Sequence, residues 1–199
     1  MKTVLRLTYS IACVIVLTTL APSRALAQDH DSHGQTAQPR TQSAGEKKRS
    51  NGLVRIVRES TTRFRDAAVA QGEGYGLLFG CVSGGDYGAM GLHFVNFPLV
   101  TDGEIDATKP EIVLYEQMPN GSLRMTGVDY LVLAADWDQT HTSAPELNGQ
   151  LFHYFDAPNR YGLPPFYTLH VWAWKPNPTG AFVNWHSDVS CEQFAGGQQ

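Results

Sequence analysis

Basic side chains are scarce in this chain. Between Asp66 and Gln199 there are four (Lys109, Arg124, Arg160 and Lys175) against fifteen acidic ones. Such a balance repels phosphate backbones and argues against a nucleic-acid partner. Cysteine is scarce as well, with three in 199 residues and no CxxC pair. No apolar run reaches the roughly 18 residues that a membrane span needs. Several catalytic signatures are missing too. From Ser50 onward there is no HxH, HxxxH or HExxH pair, no cupin double motif and no Walker loop, because the glycine-rich run Gly80 to Gly91 lacks a Lys-Ser/Thr ending. The nucleophile elbow is broken, since Ser83 is followed by Gly85 but has Cys81 where the first glycine belongs. No catalytic residue can be named on these grounds.

What is present begins with an address. Lys2 and Arg6 precede a largely apolar stretch, Leu7 to Leu20, and Ala25-Leu26-Ala27 forms an A-x-A cleavage pattern. Residues 1–27 therefore read as a secretory signal peptide. Cys13 lies inside the apolar stretch rather than at its end, which favours a soluble exported product over a lipoprotein. Cleavage leaves 172 residues, periplasmic or extracellular, with no membrane span. Residues 28–49 are polar and read as a disordered linker in which His30 and His33 have no fixed geometry. Residues 50–199 suit one domain with a proper core. In an oxidising compartment Cys81 and Cys191 are expected to pair. The loop so closed is worth roughly 4–5 kcal/mol in the chain-entropy treatment.

The fold class read from periodicity is α+β. Leu53 to Gln71 reads as one amphipathic helix, capped by Ser50 or Asn51 and stopped by Gly72. Arg55, Arg58, Arg63 and Arg65 fall mostly off its apolar stripe, as a solvated basic face or one that docks on the acidic body or an anionic surface. Gly72 to Gly91 is too rich in glycine for regular structure and reads as a looped entry. Strands follow at Gly91–Val95, Glu111–Glu116, Ser122–Val132, Leu151–Phe155, Phe166–Trp174 and Ala181–Trp185, with a helical turn in Ala134–Thr142. Asn120-Gly121 predicts a hairpin between the second and third strands. The absence of helical crossovers points to a curled, mainly antiparallel sheet or partial barrel, with the helix packed on it.

The chain resembles a family of uncharacterised exported bacterial proteins. The resemblance rests on Gly80-Cys81-Val82-Ser83-Gly84, Gly88-Ala89-Met90-Gly91-Leu92-His93, Gly149 to Tyr154, Ala157 to Pro164, Leu169 to Trp174 and Val189-Ser190-Cys191. Members tend to carry Asn-Pro after the last tryptophan, where this chain has His186-Ser187. Export and a shared fold are what the resemblance implies; it carries no activity.

Two constellations can hold chemistry. Side chains alternate along a strand, so Phe166, Thr168, His170, Trp172 and Trp174 are expected on one face. Phe166, His170, Trp172 and Trp174 then make an aromatic wall for a small-molecule ligand, which is the leading reading. The second reading is a divalent transition metal held by His93, Glu116, His153 and His170 from separate strands. Ordinary core packing competes with both, and an interaction domain without pocket chemistry is a third class. Asp136 and Asp138 read as solvated turn residues. The oligomeric state leaves no mark on the sequence.

Overall fold

The computed structural model describes residues 43–197. The signal peptide, His30, His33 and most of the expected linker lie outside the described residues. Helix α1 (Ala44–Thr61) starts earlier than the apolar stripe suggested. Its cap is Ser43, whose side chain accepts from the Glu46 amide while the Glu46 carboxylate accepts from the Ser43 amide. That reciprocal capping box satisfies two otherwise orphaned donors and carries the helix through Lys47 to Arg49, which were expected in the linker. Ser50, Leu53, Val57 and Thr61 form the buried stripe. The helix breaks at a 3₁₀ turn, Thr62–Arg65, and resumes as α2 (Ala67–Gly72), capped by Asp66.

The remainder is an antiparallel sheet that curls into a half-barrel, α+β as expected. In chain order come β1 (Gly76–Ser83), β2 (Ala89–Val95), the helical turn α3 (Phe97–Val100), β3 (Ile112–Gln117), β4 (Leu123–Leu133) and α4 (Ala134–Trp137). A small separate ribbon, β5 (Glu146–Leu147) with β6 (Gln150–Leu151), precedes β7 (His153–Phe155) and β8 (Phe166–Val171). The six-stranded order is β1-β2-β3-β4-β8-β7, every pair antiparallel. The β3–β4 hairpin forms at Asn120-Gly121, with Gly121 at φ 80°.

Three expectations need correction. The glycine-rich segment is not a loop: it contains β1, an edge strand. Its irregularity is concentrated at Phe79 and Gly80, both at φ 67°, where a bulge interrupts pairing between Leu78 and Cys81. The final segment, Ala181 to Trp185, is not a strand; a single bridge joins Ala89 to His186. The long aromatic strand also ends early, at Val171. There the Ala173 amide turns back onto the Val171 carbonyl at 2.8 Å, and the amides of Trp174 and Lys175 both donate to Thr126.

Register divides the sheet into two faces. Phe94, Val113, Tyr115, Val128, Tyr130 and Leu169 share the face that meets the helices, where the Tyr115 hydroxyl donates to the Phe64 carbonyl at 2.6 Å. His93, Ile112, Asp129, Leu131, Thr168 and His170 share the other. The expected disulfide is formed: Cys81 and Cys191, 110 positions apart, bond with their Cα atoms 5.7 Å apart and hold the C-terminal segment to β1.

Candidate functional site

On the face away from the helices, three strands of the sheet, β2, β4 and β8, each contribute one buried polar residue, with β3 between the first two. β2 supplies His93, β4 Asp129 and β8 His170. Asp129 and His170 are direct cross-strand partners, and His93 lies two strands away opposite Leu114. The curl of the sheet folds these positions inward. One ligand atom from each residue lies within 4.8 Å of the others.

Each member has a distinct hydrogen-bonding state. His93 Nδ1 lies 3.1 Å from the Gly91 carbonyl, which can only accept. Nδ1 therefore carries the proton, and Nε2 keeps its lone pair. The Asp129 carboxyl accepts from the Thr168 hydroxyl at 2.5 Å, a neighbour on the same face that orients it. His170 is the anomaly: neither ring nitrogen has a hydrogen-bond partner among the described residues, although both are buried. Its Nδ1 is 3.4 Å from Asp129 Oδ1 without hydrogen-bond alignment. Because the imidazole is neutral, this contact is not a salt bridge. A buried group left this way costs about 1–3 kcal/mol.

Burial also sets the charges. It pushes His93 down to about 4, against the small opposing pull of the Gly91 carbonyl. It holds His170 well below the ordinary imidazole value, with His93 and His153 adding to the effect. Asp129 is pushed up to about 7 by burial, partly offset by the hydroxyl of Thr168 and the amide of Leu169. At neutral pH both imidazoles therefore present lone pairs without competing protons, as metal ligation requires.

The three residues open onto a cavity whose other walls are largely apolar: Phe79, Met90, Leu131, Phe155, Leu163 and Phe166 are among them. Phe79 and Met90 both occupy irregular positions of the β1–β2 pairing. A large side chain at positive φ is unusual, and here the bulge aims the Phe79 ring into the wall. The cavity volume is about 20 Å³, room for a few atoms at most.

The residues singled out from sequence are only partly brought together. His93 and His170 meet. His153 lies on the same face, paired with Thr168, half-buried and outside the three-residue group. Glu116 is not part of the group either: Arg124 holds it at 2.6 Å and Lys175 at 2.9 Å. Burial pushes that carboxyl up, but the two cations more than offset it and keep it below the ordinary range.

Of the aromatic wall, Phe166 and His170 line the cavity. The Trp172 ring packs beside His170 at 6.0 Å and edge-on to His186 at 4.9 Å, with its N–H satisfied by the Val183 carbonyl. Trp174 does not share the face, because the turn after Val171 breaks the alternation. Its N–H donates to Thr61 on α1 at 3.0 Å, and its ring lies under Arg65.

Sequence reasoning missed Asp129, Thr168 as its support, and Tyr161. A signal for Asp129 existed, since an aspartate inside Val128-Asp129-Tyr130-Leu131-Val132 is a charge in an otherwise apolar strand, and such residues are seldom buried without a partner. No family model, no curated protein and no solved structure matches this chain.

Proposed function

We propose that this protein binds a divalent transition metal through His93, Asp129 and His170, on the concave face of its sheet. The observation that carries the reading is the His170 imidazole. It is buried, neutral, without a hydrogen-bond partner among the described residues, and beside the His93 Nε2 and a carboxylate. A metal would use the lone pair that the fold leaves unspent. The 3.4 Å between His170 Nδ1 and Asp129 Oδ1 is close to the edge of a tetrahedron with bonds of about 2.0–2.1 Å. Two imidazoles and one carboxylate suit Zn or Fe(II) and leave coordination positions open. That donor set is found in catalytic rather than closed structural sites.

The small-organic-ligand reading is less well supported. A cavity of about 20 Å³ is far below the roughly 300 Å³ that such ligands occupy, and Trp174 stands on the opposite face.

Export belongs to the same reading. The charged and apolar start, the cleavage pattern at Ala27, the resemblance to exported proteins and the Cys81–Cys191 bridge all support a mature chain outside the cytoplasm. No helix among the described residues is long and apolar enough to cross a membrane.

The test is metal analysis of mature protein purified without a histidine tag and loaded separately with Zn, Fe, Mn and Cu. One equivalent of at least one metal is expected in the wild type, and loss of it in Asp129→Asn and His93→Ala. Absence of stoichiometric metal in every loading sinks the proposal.

A further inference from the structure

The loop that closes the cavity carries a second feature of the site. Residues 156–165 run from the end of β7 to the start of β8, and Tyr161 and Leu163 from this loop line the cavity. Asn159 fixes the loop from within. Its Nδ2 donates to the carbonyls of Asp156 and Leu163, and its Oδ1 accepts from the amides of Tyr161 and Leu163. On the outside, Arg160 donates to the Ser83 carbonyl at 3.1 Å and lies over the Trp185 ring. The Tyr161 ring is held among Phe79, Phe155 and Phe166 at centroid distances of 5.8, 6.4 and 6.1 Å.

The phenol is therefore rigid, but its hydroxyl is poorly spent. The partner that it has is the Met90 thioether, 3.6 Å away, a weak acceptor that an oxygen or nitrogen anion would displace. Burial and the nearby Asp129 charge push the phenol up to about 12 against the opposing Arg160, so it stays a donor.

Charge balance points the same way. A divalent cation, one carboxylate and two neutral imidazoles leave one positive charge uncompensated inside an apolar wall, and an uncompensated buried charge is costly. The open positions on the metal and the small cavity limit what can correct this to very few atoms.

We infer that the site takes a small monoanion of up to about three non-hydrogen atoms as the remaining metal ligand, with the Tyr161 hydroxyl donating a hydrogen bond to it. This inference rests on the metal-site reading above. Tyr161 then selects for an anion able to accept a hydrogen bond. The loop around it sets the size limit.

The experiment uses the mature protein loaded with Co(II), whose visible absorption reports the ligand sphere, titrated with azide. Saturable spectral change is expected with azide and none with benzoate, which the cavity cannot admit. A hydrogen bond to a charged acceptor of this kind gives an azide dissociation constant about 10- to 100-fold weaker in Tyr161→Phe. Met90→Leu removes the competing thioether while keeping the wall filled, and is expected to bind azide as tightly as the wild type or more tightly. A cobalt-loaded protein that ignores azide, or that takes benzoate equally well, overturns the small-anion inference while leaving the metal site standing. Unchanged azide affinity in Tyr161→Phe, or weaker binding in Met90→Leu, overturns the role given to Tyr161. Failure of the wild type to load cobalt removes both readings together.

Discussion

His170 and Asp129 face each other directly across β8 and β4, 3.4 Å apart and buried, yet no hydrogen bond joins them. A histidine that merely belonged to the core would be expected to spend at least one nitrogen on a neighbour. Here the carboxyl is satisfied by Thr168 instead, and the imidazole is left over.

His170→Leu is therefore expected to stabilise the metal-free protein. The exchange removes an unpaired buried polar ring and keeps an apolar side chain of similar size, for a gain of about 1 kcal/mol. That corresponds to roughly 2–4 °C in Tm for a domain of this size. Thermal unfolding in a chelator reads the effect. The wild type should then gain stability when Zn is restored, and the variant should not. A clear loss of stability in chelated His170→Leu would mean that the ring is an ordinary core member.

A second buried carboxyl predicts how stability depends on alkaline pH. Glu111 is 2% exposed and accepts from the Leu131 amide, and burial pushes it up to about 9. Above the ordinary carboxyl range the unfolded chain releases this proton and the folded chain keeps it. Stability therefore falls as pH rises, until about pH 9. The slope for one proton is about 1.4 kcal/mol per pH unit. Between pH 7.5 and 9 Asp129, pushed up only to about 7, is already mostly ionised in the folded chain, so Glu111 dominates this window. Urea unfolding should lose about 2 kcal/mol over that interval in the wild type and much less in Glu111→Gln, whose amide oxygen can still accept from Leu131.

The third prediction concerns the C-terminal segment. Gly80 sits at φ 67°, and a side chain added there would collide with the Gly197 carbonyl that receives the Cys81 amide. Gly80→Ala therefore suffers both backbone strain and steric conflict, and should lose about 1–3 kcal/mol in urea unfolding. Hydrogen exchange at the Cys81 amide should rise in the same variant. Unchanged exchange would show that the segment does not depend on this contact.

Particular residues show how far a reading of the sequence reaches. The Asn120-Gly121 turn was visible, and it sets the β3–β4 register that places Asp129 opposite Ile112. The alternation that put Phe166, Thr168 and His170 on one face held as far as Val171 and failed for Trp174. The failure has a local cause, the backbone reversal at Ala173, which two-residue periodicity cannot register. Edge strand β1 was hidden by its glycines, because a bulge needs the same residues that a loop does. The helix start was misplaced because the capping box lies in a polar stretch that resembles linker. Glu116 was an attractive ligand by strand position, but Arg124 and Lys175 reach it first.

The sequence by itself determined the class of the fold, the turn that organises its central hairpin, the pairing of Cys81 with Cys191, and two of the three residues at the centre of the concave face. These follow from local chemistry: glycine and asparagine at positive φ, apolar periodicity, and two cysteines in a chain read as exported. Only the tertiary structure decided that Asp129, rather than His153 or Glu116, completes the group, and that Tyr161 closes over it. The reason is strand order. β8 pairs with β4 across 32 residues of intervening chain (134–165), and no periodicity within either strand records which partner the other will find.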